Sequence, residues 1–186
     1  MEQHLRSPRG IALISVLTAL CLAIQLSPRP ANVEFTSLFT FVLGFMFGPL
    51  VGILFGSSVM FVNGFLSPWG FAGLIMPFQI LGMALVGLAG GLYERYSQNR
   101  SHLAGFCLEV AVLGAFLTVV YDLITNFAVA LTMMATMNPA LAMMIALAYG
   151  APFSIIHVVS NIAVFGIVFF PVIKALNNVI MVKNLG

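Results

Sequence analysis

The chain has 186 residues, of which 61% are hydrophobic and only 6% are charged. Because a soluble domain carries about 25% charged residues, this composition excludes an ordinary soluble protein and indicates an all-α integral membrane protein. The net charge of +2 is too small, and its charges are too scattered, to indicate a nucleic-acid-binding protein.

Apolar runs separated by turn signals predict one membrane domain, residues 1–186, with six helices. The start has the charge and length of a signal peptide, but "SPRPA" is a poor cleavage site, so we predict that it is retained as the first span. This span ends before "SPRPANVEF" (27–35), because its two prolines cannot continue a helix. The predicted helices cover about 10–26, 36–47, 50–64, 71–92, 104–130 and 151–175.

The segment 127–150, which contains "MNPA", admits three interpretations: an extension of helix five, a re-entrant piece or an additional span. Charge favours six spans, because six cations then lie on one side of the membrane and only Arg29 lies on the other. The six are Arg6, Arg9, Arg95, Arg100, Lys174 and Lys183. The positive-inside rule therefore predicts a multi-pass protein of the cell membrane with both termini in the cytoplasm.

Two polar stripes interrupt the apolar helices, although an acidic group such as Asp122 is costly in hydrocarbon. Helical spacing places each stripe on one helix face. The stripes are Thr118, Tyr121, Asp122, Thr125 and Asn126 on helix five and Ser154, His157 and Asn161 on helix six. The helical rise puts both stripes in the outer half of the membrane. We therefore predict an outward-facing cavity with binding residues Asn32, Glu34, Asn63, Trp69, Gln79, Tyr121, Asp122, Asn126, His157 and Asn161.

Each of these polar residues also has a structural interpretation. Asp122 near the outer surface could be solvated or cap a helix, and Glu34 in a loop could be a solvated charge. His157 and the amide side chains could make hydrogen bonds between helices, which contribute under about 1 kcal/mol each on average. Convergence favours binding, because two facing stripes at one depth are flanked by aromatic side chains, as in small-molecule pockets.

Small residues mark two kinds of predicted packing surface. A stripe on helix one consists of Ala12, Ser15, Ala19 and Ala23, which share one face. Such a face lets another helix approach closely, and that helix belongs either to the same chain or to a partner protein. Glycines at every fourth position from Gly44 to Gly56 predict a tightly packed hairpin of helices two and three.

The sequence contains no Walker A, HExxH or GxSxG motif. We therefore predict no catalytic residues, no cofactor, no bound metal and no ATP site on this chain, so that any energised work depends on another chain. Cys21 and Cys107 both fall inside apolar runs and are interpreted as buried thiols.

Three stretches together resemble the substrate-binding S components of energy-coupling factor (ECF) vitamin transporters. The first is "ALISVLTALCLA" on helix one. The second is "VEFTSLFTFVLGFMFGPLVGILFG" with "NGFLSPWGFAGLIMPFQILGMALVGLAGGLY", and the third is the pair "YDLITN" and "PFSIIHVVSN". The resemblance covers nearly the whole chain and is specific for the family rather than for one substrate.

The resemblance implies a division of labour between this chain and its partners. S components are similar in having six helices and a cavity near the outer face, where they bind a vitamin or related micronutrient. They dock through an alanine-rich face of helix one onto a membrane scaffold subunit that carries two cytoplasmic ATPases, and they are thought to topple in the membrane to release their cargo. The resemblance assigns docking to Ala12, Ser15, Ala19 and Ala23, where Ser15 departs from an all-alanine stripe.

Two rival functions stand beside substrate capture. A non-transport membrane scaffold subunit of similar fold would share the small-residue faces but need no ligand. An intramembrane enzyme would use Asp122 and His157 as acid and base, but no nucleophile motif or metal triad accompanies them.

Overall fold

The computed structural model describes residues 8–97 and 103–181, and every regular element within these ranges is helical. The helices are α1 (Pro8–Leu26), α2 (Thr36–Phe47), α3 (Pro49–Leu66), α4 (Met76–Ser97), α5 (Leu103–Met133) and α6 (Pro139–Met181), with a 3-10 turn at Gly73–Ile75. The predicted all-α membrane fold is confirmed. Arg6, Arg100 and Lys183, on which the predicted orientation partly depends, lie outside the described residues.

Helix length divides the described helices into two groups. Four of them, namely α3, α4 with its preceding 3-10 turn, α5 and α6, are long and apolar enough to cross a membrane, whereas α1 and α2 are apolar but shorter. With 12 residues, α2 is about 18 Å long, well short of a hydrocarbon core of about 30 Å. Nine of these residues are buried, because α2 packs against α3, α4 and α6 in the middle of the bundle.

Two helix starts differ from the sequence prediction. α4 begins at Met76 rather than near residue 71, because Gly70 and Gly73 have φ values of 100° and 53°, which a right-handed helix cannot contain. α6 begins at Pro139 rather than near residue 151 and continues through Pro152. Its start suits a helix N-terminus, since proline fits the first helical position and Asn138 Oδ1 accepts a hydrogen bond of 2.9 Å from the Ala140 N–H.

The segment 127–150 accordingly divides between two helices. Its first part extends α5 to Met133, a short turn follows, and the remainder forms the first turns of α6. Small residues on the two helices, Ala130, Ala142 and Ala146, are buried where they meet. This packing on α5 holds the start of α6 helical despite the local signal of Gly150 and Pro152.

The closest helix contacts run along a glycine seam formed by Gly44, Gly52, Gly87, Gly90 and Gly91. A Cβ added to Gly87 would overlap the backbone of Gly52, and one added to Gly90 would overlap the backbone of Phe41. The seam therefore joins three helices, α2, α3 and α4, rather than only the predicted α2–α3 hairpin. Only glycine permits backbones to approach so closely.

Below the polar stripes, the bundle is filled by an aromatic core of Phe41, Tyr93, Phe106, Phe165 and Phe169. The Phe41 ring lies 5.5 Å from that of Phe165 and 5.9 Å from that of Phe169, in edge-on geometry. Phe165 is fully buried and follows His157 by eight residues on α6, about 12 Å along the helix. The aromatic core thus closes one end of the bundle and leaves the polar stripes at the other.

Candidate substrate-binding site

A cavity of about 440 Å³ opens at the end of the bundle that carries the segments 27–35 and 67–75. Small-molecule sites commonly have about 300–1,000 Å³. The lining residues come from both segments and from α1 and α3 to α6: Gln25, Arg29, Ala31, Asn32, Glu34, Met60, Asn63, Ser67, Trp69, Gly70, Phe71, Ala72, Ile75, Gln79, Met83, Tyr121, Asp122, Thr125, Phe153 and His157.

Three of these residues form a buried triad in which His157 lies between two carboxyl groups. Its Nδ1 is 2.8 Å from Asp122 Oδ1, and its Nε2 is 3.3 Å from Glu34 Oε1. The triad joins α5, α6 and the end of the segment 27–35, and all three residues are buried. The stripes predicted on helices five and six therefore do face each other.

Glu34 is held by further hydrogen bonds. The Ser37 N–H donates to Oε2 at 2.9 Å, and Asn161 Nδ2 donates both to Oε1 at 3.3 Å and to Thr118 Oγ1 at 2.8 Å. Burial by itself would raise the pKa of Glu34, but the hydrogen bonds and positive charge of His157, with the bonds from Ser37, outweigh it and lower the pKa to about 2. Glu34 is therefore a fixed carboxylate rather than a solvated loop charge.

The hydrogen bonds also determine the charge of the triad. Each of the two bonds to His157 requires one proton between nitrogen and oxygen. Two protons shared by one imidazole and two carboxylates leave a net charge of −1, wherever each proton resides. The triad is thus an anionic unit in the wall of the cavity.

A second buried network joins α1, α2 and α3 beside the cavity. Gln25 Nε2 donates to Asn63 Oδ1 at 3.3 Å, and Thr36 Oγ1 donates to Gln25 Oε1 at 2.9 Å. The free thiol of Cys21 donates to Thr36 Oγ1 at 3.8 Å. Gln25 and Asn63 therefore line the cavity and also hold helices together, which combines the binding and structural interpretations of Asn63.

Aromatic side chains stand at the open side of the cavity. Trp69 and Phe71, both on the segment 67–75, are each 66% exposed. Deeper inside, the Tyr121 ring meets the His157 ring edge-on, with centroids 5.8 Å apart. A flat ligand therefore has aromatic faces available above the triad.

Comparison with known proteins identifies the family. A model of the family "ECF transporter, substrate-specific component" matches residues 9–183. The chain belongs to this family. No match was found among curated proteins or among solved structures.

As an ECF substrate-specific component, the chain is a subunit of a transporter in the cell membrane, from a family of transport proteins rather than enzymes. Membership implies association with an ECF scaffold and ATPase module and with a small-molecule substrate. Among the described residues, no group of three or more His, Cys, Asp or Glu side chains is arranged to hold a metal ion.

Most of the predicted binding residues line the cavity of this ECF substrate-specific component. These are Asn32, Glu34, Asn63, Trp69, Gln79, Tyr121, Asp122 and His157. Two others do not line the cavity. Asn161 is one turn below His157 and bonds to Glu34 and Thr118, whereas Asn126 packs against Gly150 of α6. Membership of a polar stripe therefore does not by itself determine contact with the cavity.

Sequence reasoning missed several lining residues. The sequence predicts Arg29 only as a charge on the outer side of the membrane, and it gives no prediction of binding for Gln25. Thr125 lies on the predicted stripe of helix five but is not among the predicted binding residues. Met60 and Phe153 carry no sequence signal, because apolar residues are common on every helix of this chain.

The predicted docking stripe lies on the surface of α1. Ala12, Ser15, Ala19 and Ala23 are all exposed, whereas Leu17 and Cys21 on another face are buried. The stripe is therefore not covered by another described helix of the same chain.

Proposed function

We propose that this chain captures a small vitamin-like micronutrient in the cavity, at the outer face of the membrane, and delivers it through a partner ATPase module. The cavity carries the proposal, since it has the volume of a small-molecule site and combines a buried anionic triad with exposed aromatic side chains. Binding energy alone would achieve capture, without covalent chemistry.

The proposed contacts divide by chemistry. Asp122, Gln79, Asn32 and Asn63 would exchange hydrogen bonds with polar groups of the cargo. Trp69 and Tyr121 would cover a flat or apolar part, as aromatic rings do in many pockets. The sequence also predicts contacts from Glu34, Asn126, His157 and Asn161. We propose that Glu34 and Asn161 mainly orient His157 and Asp122.

Direct binding measurements test the capture role. The purified protein in mild detergent would be screened by native mass spectrometry against a defined panel of water-soluble vitamins and their precursors. Ala72 lines the cavity and is half-buried, so Ala72→Trp should fill the cavity and abolish binding. Ala135→Trp, at an exposed position in the turn after α5, is the matched control and should bind normally.

Two results would contradict the proposal. One is a panel in which no compound binds the wild type. The other is a bound compound that Ala72→Trp and Ala135→Trp retain equally, which would place binding outside the cavity.

We further propose that the exposed stripe of α1 docks onto the ECF membrane scaffold subunit, which carries two ATPases. A close helix contact tolerates only small side chains, so Ala19→Trp should abolish co-purification with the scaffold and ATPases yet retain micronutrient binding. Ala163→Trp, on the exposed side of α6, should assemble normally. Assembly of Ala19→Trp at the wild-type level would show that the scaffold uses another face.

A further inference from the structure

Three buried polar atoms of cavity-lining side chains have no hydrogen-bond partner among the described residues. They are Asp122 Oδ2, Gln79 Oε1 and Arg29 Nε, and all three side chains line the cavity. Asp122 is 6% exposed. An unsatisfied buried polar group is destabilising, and most buried polar groups in native proteins have partners. Thr40 Oγ1 and Asn161 Oδ1 also have no partner among the described residues, but neither side chain lines the cavity. The three atoms at the cavity indicate the hydrogen-bonding pattern of its ligand.

The unpaired atoms have different polarity in different parts of the cavity wall. Asp122 Oδ2 and Gln79 Oε1 are acceptors on the adjacent helices α5 and α4, so they require N–H or O–H donors. Arg29 Nε is a donor in the segment 27–35, and it requires an acceptor. Arg29 is fixed there, because Nη1 donates to the Val33 carbonyl at 2.9 Å and Nη2 to the Gln25 carbonyl at 3.3 Å.

The charges of the lining residues are separated in the same way as the unpaired donors and acceptors. With its two hydrogen bonds formed, the triad carries −1, and the three other oxygens of its carboxylates are bonded to His157, Ser37 or Asn161. Asp122 Oδ2 is the oxygen that remains for a ligand. Arg29 carries +1 because its guanidinium does not deprotonate in proteins. The charged lining residues within the described ranges therefore sum to zero, with the two signs on different elements.

We propose that the cargo is a small zwitterion. Its protonated nitrogen group donates to Asp122 and Gln79, and its carboxylate or similar anionic group accepts from Arg29. This inference rests on the proposed function and names the substrate class of the same cavity. A zwitterion satisfies all three unpaired atoms and leaves the cavity neutral, whereas a simple cation or anion would leave one buried charge without its counterpart.

The test uses three matched probes at pH 7. 4-(Aminomethyl)benzoate carries both charged groups, benzylamine carries only the ammonium, and 4-methylbenzoate carries only the carboxylate. Dissociation constants would be measured by ligand-detected NMR titration on the protein in nanodiscs. We expect the zwitterion to bind most tightly. The single-ended probes separate the two subsites without any assumption about the distance between them.

Two substitutions test which protein side chain binds each charged group of the zwitterion. Asp122→Asn keeps the shape but removes the negative charge, so it should weaken the zwitterion and benzylamine about tenfold or more without weakening 4-methylbenzoate. Arg29→Gln should weaken the zwitterion and 4-methylbenzoate similarly without weakening benzylamine. Controls are Glu109→Gln, 13 residues before Asp122 on α5 and about 20 Å away, and Arg95→Gln at the end of α4.

A further variant keeps the test decisive if Asp122→Asn fails to fold. Gln79→Leu removes one unpaired acceptor without touching the triad, and it should weaken benzylamine several-fold but not 4-methylbenzoate. The proposal is overturned if neither Asp122→Asn nor Gln79→Leu weakens the binding of benzylamine, or if Arg29→Gln does not weaken the binding of 4-methylbenzoate. It is also overturned if no probe binds a protein that does bind a micronutrient. A protein that binds neither probes nor micronutrients would instead contradict the proposed function.

Discussion

The two ends of the bundle hold α6 to its neighbours by different kinds of contact. At the cavity end, α5 and α6 meet the segment before α2 through Asp122, His157 and Glu34, and each contact depends on a proton between nitrogen and oxygen. At the other end, α2 and α6 meet through Phe41 and Phe165, and this contact depends on how the two ring shapes pack.

The difference shows what each end contributes. Aromatic packing and the glycine seam set the spacing of the helices, because close-packed interiors yield little to small forces. The helix spacing at the triad is therefore set by the packing at the closed end. Because such a site is preorganised, less free energy is spent on ordering its side chains when a ligand binds. Substitutions at the closed end should therefore unfold the protein. Substitutions at the cavity end should first weaken ligand binding or change the pH dependence of stability.

The largest effect is expected in the glycine seam. Gly87→Ala would place a Cβ against the Gly52 backbone, which cannot move without separating α3 from α4. We expect a loss of about 3 kcal/mol in the free energy of unfolding, measured by thermal unfolding in detergent. At Gly166, an added Cβ would meet only the Ala111 Cβ at 3.4 Å. Gly166→Ala should therefore be nearly neutral, and equal losses in both variants would contradict the role of the seam.

An intermediate effect is expected below the triad. Asn161→Ala removes the donor to Glu34 Oε1 and Thr118 Oγ1, and it should cost about 1–3 kcal/mol of unfolding free energy. It should also weaken ligand binding, because Glu34 and His157 lose a positioning contact. Asn126→Ala, at the partly exposed position beside Gly150, provides the matched comparison and should retain binding. If Asn126→Ala weakens binding more than Asn161→Ala, the placement of the two asparagines is wrong.

The smallest effect is expected from mild acid, over the single pH unit from about 4.5 to about 3.5. The pKa of Glu34 is lowered from an ordinary 4.5 to about 2 in the folded protein, so its stabilisation is complete above about pH 4.5 and is lost as the pH falls towards 2. Between these values the wild type should lose about 1.4 kcal/mol per pH unit through this group. Glu34→Gln lacks this dependence. The thermal unfolding midpoint of the wild type should therefore fall more steeply between pH 4.5 and 3.5, and parallel curves would show that Glu34 is not held as a carboxylate.

Local sequence patterns predicted many elements because their causes are local. The bounds 36–47 for α2 coincide with the structure, since two strong turn signals, "SPRPANVEF" and Gly48–Pro49, flank it. The start of α6 also has local signals in Asn138 and Pro139, but Gly150 and Pro152 are competing signals near the predicted start at 151. Contact with α5 outweighs the local effect of Pro152.

The sequence by itself determined that this is an all-α membrane protein with its polar groups gathered at one end, because apolar length and helical spacing are properties of single segments. It also predicted eight of the twenty residues that line the cavity, since polar and charged side chains on apolar helices require partners. Only the tertiary structure decided which partner: Glu34 and Asp122, 88 positions apart in the sequence, share His157. It also assigned Arg29 to the cavity and left Asn126 outside it, because those contacts depend on how separate helices and loops are positioned relative to one another, which no local pattern records.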